Sequence, residues 1–169
     1  MLNEGVNLKH EVIGQILGFI MAHSAAIGDS LAQHELMVPY VITINNGKRE
    51  SIEFEAETQQ QGVNTAEKKL SELSQSVEAW SYSQDGLVKL DSGEKQDVLF
   101  FKVWVKGMSE PLEAYQMYRK YPFKLIGNIQ ILNYSESGLL SQGQEQFSEG
   151  INEGIESHPT GSKKWESWL

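Results

Sequence analysis

Large apolar side chains recur at the spacing of a helix face near the start of the chain, and they predict a helix over residues 9–33, kinked near Gly28. These side chains are Ile13, Ile16, Leu17, Ile20, Ile27 and Leu31. Small residues form a second row at four-residue spacing, namely Gly14, Gly18, Ala22, Ala26 and Ser30. Because such a row lets another backbone approach closely, it predicts tight packing on a sheet or on the same helix of a second copy, as in a homodimer.

The segment that follows predicts a β-hairpin. Apolar side chains alternate with other residues over 38–44 and again over 49–56, which is the period of a strand with one buried face. Between these runs, Asn46 and Gly47 are residue types that accept positive φ at both central positions of a type I′ turn. The two strands are therefore expected to pair directly with each other.

A second helix and two short strands are predicted next. Asn64, followed three residues later by a glutamate, has the pattern of a capping box, so the helix is expected to begin there. Its buried stripe consists of Ala66, Leu70, Leu73 and Val77. Strands are expected over residues 78–83 and 87–90, separated by a turn at Asp85 and Gly86.

The last predicted elements are a central strand, a short helix and a final strand. Residues 97–106 are apolar on both faces, and a strand covered on both sides usually lies inside its sheet. Ser109 is expected to cap a short helix with Pro111 in its first turn. The final strand is expected over residues 123–132.

Together these elements predict an α+β fold. It is expected to contain a mostly antiparallel sheet of about five to six strands, two main helices packed on one face, and a short third helix. This single domain is expected to span residues 1–134. Residues 135–169 are rich in Gly, Ser, Gln and Glu and predict a polar C-terminal arm that ends in a Trp-containing segment.

Composition narrows the classes of function. The 169 residues include no cysteine, which excludes a disulfide scaffold, a thiolate metal site and a cysteine nucleophile. The net charge is −9 and the pI is about 4.9. This balance disfavours nucleic acids and anionic membrane surfaces as partners, and it favours a basic protein surface.

The sequence favours a soluble, cytoplasmic protein. The apolar run Val12–Met21 is shorter than the roughly 20 residues that a membrane span needs. Glu4 and Glu11 occupy positions where a signal peptide carries basic residues.

Known catalytic and metal-binding patterns do not occur in the sequence. It has no P-loop, no dinucleotide-binding glycine motif, no nucleophile elbow and no HExxH. His23 and His34 would lie about 16 Å apart on a helix, too far to share one metal, so we expect a core histidine and a surface group. Glu53, Glu55 and Glu57 alternate on a hairpin strand and are expected to form a solvated face rather than a cation site. We therefore expect no metal, no cofactor and a non-enzymatic role.

One segment concentrates positive charge among tyrosines. Its candidate ligand-binding residues are Lys102, Lys106, Tyr115, Tyr118, Arg119 and Lys124. Basic side chains interleaved with aromatic rings can hold a phosphate or a base. Tyrosines at three-residue spacing also suit a helix that packs its rings on the sheet. Packing is the favoured interpretation, and an anionic ligand is the alternative.

Two tryptophans, Trp165 and Trp168, close the chain. Large aromatic rings are costly to leave in water, so they are expected to dock on their own domain or to anchor a partner. With the acidic balance, they suggest a non-enzymatic, acidic partner-binding protein, such as an accessory or immunity-type factor. The alternative hypothesis is a small-molecule or phosphate-binding enzyme that uses residues 102–124.

Overall fold

The computed structural model describes residues 8–32 and 34–169. These residues form six strands and four α-helices: α1 (His10–Ser30), β1 (Tyr40–Asn45), β2 (Lys48–Glu53), α2 (Gln59–Leu73), β3 (Ala79–Lys89), β4 (Lys95–Val105), β5 (Leu112–Arg119), β6 (Lys124–Ile131), α3 (Gln144–Ser157) and α4 (Gly161–Lys164). Two short 3₁₀ helices, Ser141–Gly143 and Trp165–Trp168, precede α3 and follow α4.

All six strands form one sheet in the order β2-β1-β3-β4-β5-β6, and every neighbouring pair is antiparallel. The predicted α+β class with a mostly antiparallel sheet is therefore confirmed. Asn46 and Gly47 both have positive φ, as the predicted hairpin turn requires. β4 lies between β3 and β5, and Leu99 and Phe101 on it are buried, so the predicted central strand is confirmed as well.

The helices α1 and α2 lie on opposite faces of the sheet, whereas the sequence placed both on one face. Successive side chains of a strand point to opposite faces. Ser83 of β3 accepts a hydrogen bond from Ser24 of α1 at 2.8 Å. Trp80, an odd number of residues away, donates from its indole Nε1 to Ser74 at the end of α2, at 2.9 Å. The sheet is thus covered from both sides at β3.

The helix α2 begins before Asn64, so that predicted start is wrong. Thr58 caps the helix: its side chain accepts from the Gln61 N–H at 3.2 Å, and the Gln61 side chain accepts from the Thr58 N–H at 3.3 Å. This is a complete capping box. Asn64 lies inside the helix and accepts a hydrogen bond from the Gln60 side chain. The sequence contains both capping patterns, and the earlier one forms.

The predicted turn at Asp85 and Gly86 is wrong, because β3 continues through both residues. Asp85 is buried, and its carboxylate accepts hydrogen bonds from the Met37 N–H at 2.7 Å and from the Tyr118 hydroxyl. A buried carboxylate is tolerated when donors surround it. These donors are distant in sequence, so local turn statistics do not include them.

The short helix predicted after Ser109 is also wrong, because residues Leu112–Arg119 form the strand β5. Its residues alternate between buried and half-buried positions, which is the two-residue period of a strand. Tyr115 and Tyr118 consequently point to opposite faces of the sheet. The three-residue spacing of the tyrosines suggested a helical face that does not exist.

Much of the predicted polar arm is helical and packs on α1. The contact between α1 and α3 is made through Gly14 and Gly18 on one helix and Gly150 and Gly154 on the other. A Cβ on Gly14 would overlap the carbonyl oxygen of Phe147. The small-residue row predicted for a homodimer is therefore occupied in this structure by a helix of the same chain.

The end of the chain docks on the same domain. Trp168 is 2% exposed, and its ring meets that of Phe123 edge-on, with centroids 6.0 Å apart. Trp165 contacts Trp168 in the same geometry at 6.1 Å. Of the two expectations for the tryptophans, docking on their own domain is the one that the structure contains.

Candidate functional site

The six predicted ligand-binding residues do not form one patch, because their segment is a strand and a turn rather than a helix. Lys102 and Tyr115 point towards the α2 face of the sheet, whereas Tyr118 is buried on the α1 face. Arg119 donates to the carbonyl of Pro122 at 3.4 Å, and Lys124 donates to the carbonyl of Ser167 at 2.9 Å. Lys102 lines a groove of about 600 Å³ beside α2, and Lys106 lines a separate groove between α1 and the sheet.

This groove, with a volume of about 550 Å³, lies between the first half of α1 and the sheet. Apolar side chains form most of its wall and floor: Leu8, Val12, Ile13, Ile16 and Phe19 from the helix side, and Ile42, Ile44, Ala79 and Val105 from the strands. Val12 is 40% exposed, so apolar surface is open to solvent along the helix side. A concave, mostly apolar site of this size is typical of small-molecule binding sites.

Positive charge surrounds the groove, although the chain as a whole is acidic. Lys9, Arg49 and Lys106 are exposed and contribute to its lining. Glu78 is the acidic residue among the lining residues, and its carboxylate accepts a hydrogen bond from the Asn46 N–H at 2.6 Å. The groove therefore combines an apolar interior with three cationic side chains and one carboxylate that is already hydrogen-bonded.

Arg49 is held over the groove by an aromatic contact. Its guanidinium carbon lies 3.8 Å from the ring centroid of Phe19, which is a favourable cation–π geometry. Stacking uses the flat face of the guanidinium, whereas the N–H donors point outward in its plane. Those donors remain able to form a two-point contact with a planar anion such as a carboxylate.

Two histidines meet behind Phe19. His23 of α1 and His158, which follows α3, are hydrogen-bonded through Nδ1 and Nε2 at 2.9 Å. The Nδ1 of His158 also accepts the backbone N–H groups of Thr160 and Gly161, at 3.2 and 3.0 Å. Since Nδ1 of His158 is an acceptor, its proton must be on Nε2, which therefore donates to Nδ1 of His23. Both rings are thus neutral in this arrangement.

The surroundings of the pair favour those neutral forms. Burial lowers the pKa of His23, and the nearby Glu53 opposes this effect. Burial likewise lowers the pKa of His158, and the charges of His23 and Arg49 add to that effect. The remaining two histidines, His10 and His34, are not part of this pair. His34 is exposed, as expected for a surface group, and His10 accepts the N–H of Leu140.

A second polar cluster lies beneath the opposite end of α1. Asp85, Tyr118 and Lys120 contact one another, with Lys120 donating to the Tyr118 hydroxyl at 2.8 Å. Burial and the adjacent Asp85 raise the pKa of the Tyr118 hydroxyl. The cavity beside this cluster has a volume of about 10 Å³, which leaves no room for a substrate. We assign these residues a structural role.

The other acidic and histidine side chains do not form a metal site among the described residues. Glu53, Glu55 and Glu57 are exposed. Across residues 8–32 and 34–169, no three histidine or acidic side chains form a group that could hold a metal ion. By length and composition alone α1 could cross a membrane, and 56% of its apolar window is buried inside the fold.

No protein-family model, no curated protein and no solved structure matches this chain. The groove was not predicted from the sequence, because its three cations come from segments that are distant along the chain. One local signal was available: Arg49 is paired in register with Ile44, so a cation lies directly across from an apolar side chain.

Proposed function

We propose that this protein is a binding domain for a small amphipathic anion, such as a medium-chain carboxylate, and that the ligand occupies the groove beneath α1. The observation that supports this proposal is the combination of an apolar groove with Lys9, Arg49 and Lys106 in a chain of net charge −9. The acyl chain would lie along the apolar wall, and the carboxylate would face the guanidinium of Arg49. Binding rather than catalysis is proposed, because the described residues that line the groove include no nucleophile paired with a base.

The expected affinity is modest. Each methylene removed from water contributes about 0.8 kcal/mol, so six of them contribute about 5 kcal/mol before the entropic cost of association is subtracted. A charge-assisted, two-point contact between Arg49 and a carboxylate adds to this and fixes the orientation of the ligand. The field of the acidic surface repels anions elsewhere, so the groove is the favoured place for a negative head group.

Calorimetric titration with octanoate tests the proposal, with octanol and acetate as comparison ligands. We expect saturable binding of octanoate and much weaker binding of either comparison ligand, because one lacks the charge and the other lacks the chain. Arg49→Gln is expected to weaken octanoate binding about tenfold, the lower range for one charge-assisted contact. Lys89→Gln, which removes an exposed lysine of β3 outside the groove lining, serves as the matched control.

Two results would overturn the assignment. One is the absence of saturable octanoate binding at millimolar concentration. The other is an equal loss of binding in Arg49→Gln and Lys89→Gln, since that would indicate a general effect of net charge. Val12→Asp, which places a carboxylate on the exposed apolar wall, is expected to abolish binding without unfolding the chain, because Val12 is 40% exposed.

A second candidate function is the binding of a basic protein surface by an acidic accessory or immunity-type factor. It is supported by the outer face of α3, where Glu145, Glu149 and Glu153 are exposed at four-residue spacing. Glu11 of α1 lies beside them, and a hydrogen bond with Glu153 raises its pKa. A pull-down in which the triple change of these α3 glutamates to Gln captures the same basic proteins as the unchanged chain would remove this candidate.

A further inference from the structure

The His23–His158 pair has no position for an additional proton. Nδ1 of His158 accepts two backbone N–H groups, and its Nε2 donates to Nδ1 of His23. A proton on Nδ1 of His158 would face two N–H donors, and a proton on Nδ1 of His23 would face a third. Each of these additions replaces an attractive hydrogen bond with two donors in opposition. Protonation of His23 therefore breaks the hydrogen bond between the rings, and protonation of His158 breaks the hydrogen bonds from Thr160 and Gly161 that hold its ring in place.

The charged and titratable groups around the pair come from the strands β1 and β2. Glu53 of β2 favours a protonated His23, whereas Arg49 of the same strand opposes protonation of His158. Tyr40 of β1 meets the His23 ring edge-on at 5.5 Å, and its hydroxyl is hydrogen-bonded to Ser24. The balance keeps both rings neutral while they are docked, as the lowered pKa values of both indicate.

The terminal segment, defined here as residues 158–169, is joined to α1 by this pair, and its other contacts include the buried ring of Trp168 and Gly161, which lies against Ala22. Its ion pair, Lys164 to Asp29, spans 3.6 Å between largely exposed side chains, a class worth less than about 1 kcal/mol. Lys124 donates to the Ser167 carbonyl. Trp168 is buried, but its indole N–H has no hydrogen-bond partner among the described residues. An unsatisfied buried donor weakens the docking of that ring.

We propose that the His23–His158 pair is a pH-sensitive latch, and that acidification releases the terminal segment from α1 and from Phe123. The released segment carries Trp165 and Trp168, which then become exposed aromatic anchors for a protein partner. The latch does not require a ligand in the groove, although Arg49, which would face the ligand, also lowers the pKa of His158. Partner binding would then depend on pH: the two tryptophans are covered at neutral pH and become exposed below about pH 6.5, the ordinary pKa of a histidine.

Hydrogen exchange of the full chain at pH 7.5 and pH 5.5, corrected for intrinsic exchange rates, tests the latch. We expect protection of the terminal segment to fall at the lower pH by up to about tenfold, the factor that one histidine of ordinary pKa supplies one unit below that value. Protection of α3 is expected to change little, and it serves as the internal reference. Equal protection of the terminal segment at both values of pH would overturn the proposal.

Variants separate the latch from general acid sensitivity. The oxygen of His158→Asn can still accept the N–H groups of Thr160 and Gly161 but does not titrate. The pH effect is therefore expected to become smaller in this variant and to disappear when His23→Gln is added. His34→Gln removes an exposed histidine and is expected to leave the effect unchanged. If His34→Gln removes the pH effect as well, the latch is wrong.

The tautomers give a measurement that does not depend on exchange. Nitrogen-15 spectra of the two rings at pH 7.5 should show Nδ1 unprotonated and Nε2 protonated in both His23 and His158. A protonated Nδ1 on His158 at that pH would contradict the hydrogen-bond chain on which the latch rests. This result would leave the groove proposal untouched, because none of the groove experiments involves either ring.

Discussion

The helix α3 and the terminal segment follow one another in the chain and dock against the same helix, but different interactions hold them. α3 contacts α1 backbone to backbone through glycines such as Gly18 and Gly154. The terminal segment is held by a pair of neutral histidines, one exposed ion pair, the Lys124–Ser167 hydrogen bond and the buried ring of Trp168, whose indole N–H has no hydrogen-bond partner among the described residues. Under the latch proposal, this polar tail combines a permanent attachment with one that depends on pH.

The largest effect is expected from a substitution that disrupts the contact between α1 and α3. Gly18→Ala places a Cβ onto the carbonyl oxygen of Ile151, which belongs to helix backbone and cannot turn aside. We expect a loss of about 3 kcal/mol in the free energy of unfolding, at the upper end for overpacking. Urea denaturation measures this value.

Gly86→Ala is the matched control for that variant. A Cβ there would meet the Val98 side chain at 3.4 Å, an ordinary contact, and its φ is not positive. Its effect is expected to stay within about 0.5 kcal/mol, the usual range for tolerated substitutions. Equal losses in Gly18→Ala and Gly86→Ala would show that the helix contact is looser than the structure indicates.

This interface also shows how far the sequence predicts the fold. The small-residue row of α1 is visible as a pattern, but a pattern on one surface does not identify what covers it. The partner signal was present: Phe147, Ile151 and Ile155 recur at four-residue spacing in the tail. The surrounding Gly, Ser and Glu residues concealed it, because composition alone predicted a polar arm.

Features set by neighbouring residues were predicted correctly, whereas features that depend on residues distant along the chain were missed. The hairpin follows from Asn46 and Gly47, whose backbone preference is local. The continuation of β3 through Asp85 does not follow from its neighbours in sequence, because the hydrogen-bond donors that permit the burial of Asp85 come from Met37 and Tyr118. The groove is a still less local feature, since Lys9, Arg49 and Lys106 converge only in the folded chain.

The next largest effect is expected from a substitution that detaches the terminal segment and leaves α3 in place. Trp168→Ala removes its main buried ring, which is 2% exposed, and should abolish hydrogen-exchange protection in residues 158–169. Global stability is expected to fall by only about 1 kcal/mol, because terminal segments unfold locally. Leu169→Ala, at 64% exposure, is the control and should change neither value. Loss of α3 protection in Trp168→Ala would mean that the two attachments are one unit.

A smaller effect concerns pH. Burial lowers the pKa of both His23 and His158 in the folded chain, so the unfolded chain binds more protons near pH 6. Stability is therefore complete above about pH 6.5 and decreases as the pH falls through that value. Between pH 7 and pH 6 the two histidines together should lower the free energy of unfolding by no more than about 1.4 kcal/mol. The double variant His23→Gln with His158→Asn should flatten this part of the profile, and an unchanged slope would contradict the assignment.

The smallest effect is expected from removing the Lys164–Asp29 ion pair, which contributes to the docking of the terminal segment but not of α3. The pair is largely exposed at 3.6 Å, so Lys164→Gln should lower the free energy of docking by a few tenths of a kcal/mol, in the range of surface ion pairs. Lys163→Gln is the matched control, since Lys163 itself forms no ion pair among the described residues. In 0.5 M salt the difference between the two variants should vanish, whereas the pH dependence should persist, because a hydrogen bond between neutral rings is insensitive to screening. If salt removes the pH dependence instead, charge attraction rather than the histidine pair holds the terminal segment in place.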